Sequence, residues 1–558
     1  MANKKIYPAL LLAVMSVGAY AQSDLSKEVT VTRPYEPSVS ESFKMGLTPE
    51  MSDTTKLRPD FNYEITPQPL RSGFDVSPIR PVSLNTVDNT VLLPFYLKVA
   101  GGFPLQSALD FSFSKQLDMR TKVGVLVSHY GTYSDIENDM NVDAPAFAAF
   151  NNLSAFGQRM INHDLALEGR VGYAFNKVTR YGYFNSTALP SGFETTSSAL
   201  AQFFHNVNAG VTFGNSFSDM SKFNFSVSAD IFYDADKYKF DQFGWIAAAE
   251  AGIGVGYSGD VRLNLSYDAT DGQQKFSGYS NNIFTGGLAY NFDNGGLRFL
   301  LGADYASYKQ KGDADVSEGR FLPQFKLEYD VTEGLTPYVV LNSQVVKNSY
   351  HDLARINPYV YSGLSIPNTT EYEGRAGIKG TLFGMVKYNL FGGYGMIEDY
   401  YEFANMYDTQ SQGNLFAAIT DKAKYWTAGA SVEANLWNSF KISAAADYYH
   451  YHMDVYEDAE GPDIVLNIKA EYNHRNKLFI DAGFTMWGER TFHEMSSMTL
   501  SSLDRDPVFN LNAGVNYFFS KQLGVFVKAD NILNEKMYIF NRYPGLGINA
   551  MAGVKLTF

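Results

Sequence analysis

The sequence predicts an all-β fold: a transmembrane antiparallel β-barrel of about 22 strands, preceded by an extended, Pro-rich N-terminal segment. Three observations lead there. From about residue 94 to residue 558 the chain alternates apolar and polar side chains in segments of ten or so, broken by turns, the period-two signature of strands with one greasy and one wet face. Past residue 21 no apolar run reaches the roughly 18 residues of a membrane-crossing helix. The 558 residues are only 19% charged but 15% aromatic, with Tyr 38, Phe 42 and Gly 47, an unusual balance for a cytosolic enzyme.

At the N-terminus, Lys4 and Lys5 precede an apolar run from Ile6 to Gly18 and the small-x-small site Ala19-Tyr20-Ala21. This is the pattern of a cleaved secretory signal over residues 1–21. Residues 22–93 hold eight of the 20 prolines. Arg33-Pro34-Tyr35-Glu36-Pro37, Pro67-Gln68-Pro69, Pro78 and Pro81 favour extended backbone, so a periplasmic or lumen-threading strap is expected rather than a compact domain.

Residues 94–558 form the barrel. Phe223, Phe225, Val227, Ala229, Ile231 and Tyr233 share one face against Asn224, Ser226, Ser228 and Asp230. Val261, Leu263, Leu265 and Tyr267 oppose Arg262, Asn264, Ser266 and Asp268 in the same way. Repeated around a closed sheet, such an apolar face is useful only in lipid, and closure satisfies every strand edge. Strands are expected to begin near residues 94, 107, 121, 151, 165, 203, 223, 246, 261, 280, 297, 320, 335, 369, 385, 414, 440, 462, 477, 508, 523 and 545. Short connections (Asp118 to Arg120, Ile161 to Asp164, Asp293 to Gly296, His474 to Asn476) alternate with longer ones near 137–150, 185–202, 350–368 and 496–507. Short turns belong in the periplasm and long loops outside, and an even count puts both chain ends in the periplasm.

Register assigns Arg262, Asp268, Lys326, Glu328, Asp330, Glu373, Arg375, Lys379, Lys469 and Glu471 to the lumen. A Lys or Arg on the lipid face at mid-membrane costs roughly 2–4 kcal/mol. The mixture of signs predicts a hydrated lumen without strong ion selectivity. Aromatic clusters at strand ends, Tyr400-Tyr401, Tyr448-Tyr449, Tyr517-Phe518-Phe519 and Tyr538-Ile539-Phe540, are expected at the membrane interfaces.

Several functions are disfavoured. A net charge of −14 without a basic stripe argues against nucleic acid. Zero cysteines remove thiolate sites and Cys nucleophiles. His450, His452 and Asp454 alternate on one strand face, a spacing that does not supply a third metal ligand. No nucleophile, base and orienting group assemble, so no enzyme, metal or cofactor is expected.

The last strand sets Leu546, Ile548, Ala550, Ala552, Val554, Leu556 and the terminal Phe558 on one face. A barrel strand ending on an aromatic residue resembles the signal read by the outer-membrane barrel-assembly machinery, which points to a Gram-negative envelope. The run Val525-Phe526-Val527-Lys528-Ala529-Asp530-Asn531-Ile532-Leu533-Asn534-Glu535-Lys536, then Tyr538, Tyr543-Pro544-Gly545 and the closing strand, resembles the C-terminal end of TonB-dependent receptor barrels. That resemblance implies a 22-strand barrel in the outer membrane with a receptor or transport function. Glu28, Val29, Thr30, Val31 and Thr32 resemble the TonB box, an extended β-branched peptide suited to adding a strand to a partner's sheet. Members of that family fill the lumen with a globular plug of well over a hundred residues, from which residues 22–93 depart. Expected partners are outer-membrane lipid, the barrel-assembly machinery, and TonB or another periplasmic protein through the N-terminal arm. A passive porin-like channel and a scaffold subunit of an outer-membrane complex are the alternatives.

Overall fold

The computed structural model describes residues 94–558 except 140–141, 184–192, 216, 218, 220, 313–314, 333, 408–411, 438, 457–458 and 497–498. The expected signal peptide, the Pro-rich segment 22–93 and the TonB-box-like residues 28–32 lie outside the described residues.

Twenty-four strands share one sheet. Two of them, Arg490–Ser496 and Thr499–Arg505, form a hairpin in one long loop; the other 22 close the barrel, each antiparallel to its neighbours. Closure is made by the first and last strands, Phe95–Phe103 and Asn549–Thr557, paired from Tyr96↔Thr557 to Phe103↔Ala550. Phe558 finishes the seam. Its N–H donates to the Phe95 carbonyl at 3.1 Å, its carbonyl accepts from the Phe95 N–H at 2.9 Å, and the two rings stack at 5.3 Å.

Predicted and observed strands match one for one. The largest displacement is at Phe240–Val255, expected from residue 246. Its first turn carries Asp241 and Gln242, polar residues that loops bury at the rim, so hydropathy does not reveal it as strand.

The two barrel ends differ. The start of the first strand and Phe558 share one end with the short turns, such as Arg475 and Asn476, whose φ angles of 54° and 55° supply the left-handed pair of a tight hairpin. All long loops leave the other end. Wall height varies around the ring: Leu523–Asp530 has 8 residues, whereas Val386–Tyr407 and Phe416–Leu436 have 22 and 21. At about 3.3 Å per residue the two longest exceed twice the apolar band even when tilted, so their upper halves stand above it.

Val227, Ile231, Leu265, Leu288, Leu301 and Phe321 are exposed on the apolar face. Polar-face residues instead meet groups from distant strands. Tyr350, in the loop after Thr336–Val346, donates to Asp236 at 2.8 Å, and Lys347 reaches Asp268 at 2.9 Å. Among the described residues the main hydrophobic core lies at the loop end, not in the wall.

Candidate functional site at the capped loop end

Five loops and a pair of strand tips condense at the mouth. Ala144 and Ala146, Tyr181 and Tyr183, Phe276 and Tyr279, the segment Tyr350 to Ile366, the strand tips Tyr401, Phe403 and Phe416, and Phe540 with Tyr543 pack into one buried cluster. Because these loops leave the ring at separate points, they can meet only across the opening. Tyr543 is the keystone at 1% exposure. Its ring stacks on Tyr359 at 3.7 Å and meets Tyr181 edge-on at 4.9 Å, while its hydroxyl donates to the Asn414 carbonyl at 2.6 Å. Tyr181 donates to the Pro544 carbonyl at 2.8 Å, and Asn414 to that of Arg180 at 3.3 Å.

The helix Tyr350–Ile356 inserts into this cap. Ser349 starts it: its Oγ accepts from the Asp352 N–H, and the Asp352 carboxylate accepts from the Ser349 N–H, a reciprocal capping box. Tyr350, Leu353 and Ala354 face the core, His351 Nε2 donates to the Phe240 carbonyl at 2.8 Å, and Arg355 reaches back to Asp234 at 2.9 Å. Burial holds the His351 imidazole below its ordinary value, so it is neutral near pH 7.

A polar clasp flanks the aromatic core. The Arg490–Ser496 strand lies parallel to the tip of Val386–Tyr407, from Ala404↔His493 to Tyr407↔Ser496. His493 Nε2 sits 2.8 Å from Glu402, whose other oxygen accepts the Glu460 N–H at 2.7 Å; Glu460 in turn accepts the Phe403 N–H at 3.2 Å. Arg490 stacks on Phe492 and donates to the carbonyls of Tyr538 and Ile539. Burial, with the neighbouring Glu402 charge, pushes the Glu460 carboxyl up to about 7.

Beneath the cap lies a cavity of about 580 Å³. Its roof is Ile136, Ala146, Tyr181, Tyr359 and Ile539, and its wall is the upper part of the strands from Thr121–Thr132 to Asn224–Asp236. Asn152, Ala174, Asn206 and Asp234 are successive cross-strand partners and share a face; one rung higher run Tyr130, Phe150, Asn176 and Phe204. Among the described residues the lining comes from roof and wall, which leaves the lumen side of the cavity open.

The sequence-selected charges occupy the polar face in pairs. Arg262 bonds Asp260 at 2.7 Å, and Lys347 reaches Asp268 at 2.9 Å. Glu328 accepts from Lys326, Lys379 and Arg298, and Arg298 also clamps Asp330 through two bonds of 2.7 Å. Arg375 pairs with Glu373 and Lys469 with Glu471, each at 2.7 Å. None of the ten belongs to the cap or lines its cavity.

One expectation is corrected. Tyr400, Tyr401, Tyr449 and Phe540 are buried in cap clusters rather than set at a membrane interface, because their strands and loops continue above the apolar band and fold inward. Tyr448, Tyr517 and Phe519 remain exposed. His450, His452 and Asp454 are exposed, and among the described residues no group of three His, Asp or Glu side chains is placed to hold a metal. The C-terminal motif has a structural reason. Asn531 and Asn534 adopt φ of 49° and 55°, which Asn tolerates better than bulky residues. The Asn531 side chain bonds the Glu535 and Leu546 carbonyls and the Glu535 N–H, and Asn534 accepts from the Ile548 N–H, so the motif fixes the loop that carries Tyr543.

No protein-family model and no curated protein sequence matches the chain. Solved structures do. The FrpB iron transporter from Neisseria meningitidis superposes with a TM-score of 0.65 at 10% identity, covering 84% of this chain and 81% of that one. The siderophore receptor PirA from Acinetobacter baumannii gives 0.63 at 11% over 83% and 80%. The ferripyoverdine receptor of the Pseudomonas aeruginosa outer membrane gives 0.60 at 13% over 84% and 72%. The chain thus shares the barrel fold of these receptors and transporters, and its C-terminal motif resembles that of the TonB-dependent receptor class.

Proposed function

We propose that this chain is an outer-membrane receptor or transport barrel of the TonB-dependent receptor-like class whose mouth is closed by its own loops in place of a conventional plug. One observation carries this reading: a 22-strand barrel whose loop end holds a single hydrophobic core built from five loops and a pair of strand tips. Short turns on one side and long loops on the other support an orientation with both termini in the periplasm. In that orientation the exposed apolar belt meets outer-membrane lipid, the paired charges from Arg262 to Glu471 line a hydrated lumen, and Phe558 is the signal for the barrel-assembly machinery. Residues 28–32, at the end of a Pro-rich arm, engage TonB or another periplasmic protein by strand addition.

The test is conductance and uptake. In planar bilayers the intact chain is expected to be silent and Tyr543→Ala to conduct; in cells, removing residues 28–32 is expected to abolish the function while leaving the barrel assembled. Conductance of the intact chain equal to that of the opened variant would reject the gate. The buried cap also favours a second reading, a closed scaffold in an envelope complex, over an open porin. Stable partners that co-purify with the barrel, with no solute movement under any condition, would establish it.

A further inference from the structure

We propose that the cavity beneath the cap binds a small, uncharged, hydroxyl-rich molecule of about disaccharide size, reached from the lumen. Its physiological use rests on the transport reading above; the binding rests on the cavity. About 580 Å³ falls within the roughly 300–1,000 Å³ of small-molecule sites.

The lining selects the chemistry by elimination. Among the described lining residues the basic groups are already engaged: the Arg355 guanidinium is held by Asp234 at 2.9 Å and by Asp352 at 2.8 Å, His205 bonds the Tyr173 hydroxyl at 2.9 Å, and His351 is neutral. A cation finds no spare carboxylate, because Asp234, at 2% exposure, already accepts from Asn206, Gln242 and Arg355. A wholly apolar ligand would take water from the amides of Asn152, Asn176 and Asn206 without replacing its hydrogen bonds. Asn176 lines the cavity, and its Oδ1 is buried without a hydrogen-bond partner.

A hydroxyl both donates and accepts, and a row of asparagine amides offers both functions to adjacent hydroxyls. Phe150 and Phe204 flank Asn176 on the same rung, and Tyr130 and Tyr359 add further flat faces for the C–H side of a sugar-like ring. The roof limits the occupant to a compact shape. An extended chain passing through would meet Tyr359 and Tyr543, which are buried in the cap.

The experiment is calorimetric titration of the full mature chain in detergent with maltose, cellobiose and N,N′-diacetylchitobiose, against glucuronate, lysine and tri-alanine. At least one neutral disaccharide is expected to bind, and Asn176→Ala and Phe204→Ala are each expected to weaken it about tenfold or more. Folding of each variant is checked by its heat-modifiable gel mobility. As a second readout, Asn152→Cys is labelled with a maleimide, and the bound disaccharide is expected to slow the labelling. The proposal is overturned if no neutral disaccharide binds, if the variants bind as well as the parent, or if the charged or peptide probes bind as tightly. Loss of uptake and of gated conductance with the titration intact would remove the transport reading and leave the site. A negative titration on an uptake-competent barrel would remove the site alone.

Discussion

Among the described residues, the two ends of this barrel differ in that only the loop end adds a large aromatic core to its ion pairs. At the short-turn end, stabilising groups are ion pairs between neighbouring strands or within one turn, as in Arg298 with Glu328 and Asp330, Lys441 with Glu433, and Lys222 with Asp219. At the loop end, aromatic side chains from loops hundreds of residues apart in the chain share one dry core, as Tyr181 and Tyr543 do. Ion pairs near water contribute little each and can be lost singly. A packed core responds as a unit, so one truncation at its centre is felt by every loop that meets there. The difference suits a wall that stays and a lid that opens together.

The largest expected effect is at the keystone. Tyr543→Ala removes a fully buried ring and is expected to cost the cap about 3–5 kcal/mol. Limited proteolysis should then cut several loops at once while the barrel keeps its heat-modifiable mobility; cleavage confined to 531–548 would show that the loops are independent. Next is the turn that presents Tyr543. Asn531→Ala loses its side-chain bonds to Glu535 and Leu546 and strains a φ of 49°, for about 1–3 kcal/mol. Protease sensitivity confined to the same loops would place the motif's role in the cap, and a lower barrel melting temperature would place it in the wall.

The clasp gives a pH signature. Glu460 ionises near 4.5 when unconstrained and near 7 when buried, so its protonated form fits the clasp. The stability it contributes is full below about pH 4.5 and is lost as the pH rises through 7. Hydrogen exchange over residues 454–463 should therefore quicken between those values, and Glu460→Gln should flatten the profile. A profile unchanged by the substitution would assign the dependence to the facing Glu402, His493 or Arg490. Smallest is Arg298→Ala, which separates the two ends most cleanly. It is expected to lower the melting temperature of the wall slightly, by about 1 kcal/mol for a partly exposed cluster, with no change in loop proteolysis.

The wall was readable because period two is a local signal: Val227, Ala229 and Ile231 declare their face whatever lies elsewhere in the chain. Phe558 was readable for the same reason, and pairing with Phe95 completes it. The cap was not. Tyr400, Tyr401 and Phe540 look like interface aromatics, since hydropathy does not tell a ring at a lipid boundary from one in a loop core. The clue available was length: strands of 22 and 21 residues are far longer than the band requires, and something must bury their upper aromatics. The cavity left a fainter trace, because Asn152, Asn176 and Asn206 lie on three strands and become one surface only through register.

Alternation, turn chemistry and an aromatic terminus were enough to determine an outer-membrane-type barrel, its strands and its wet and greasy faces, since each depends on near neighbours in the chain. Which loops meet, and that an amide-bearing cavity lies below them, were decided by the ring's closure. Closure brings residue 181 beside residue 543, and no pattern within either segment encodes that meeting.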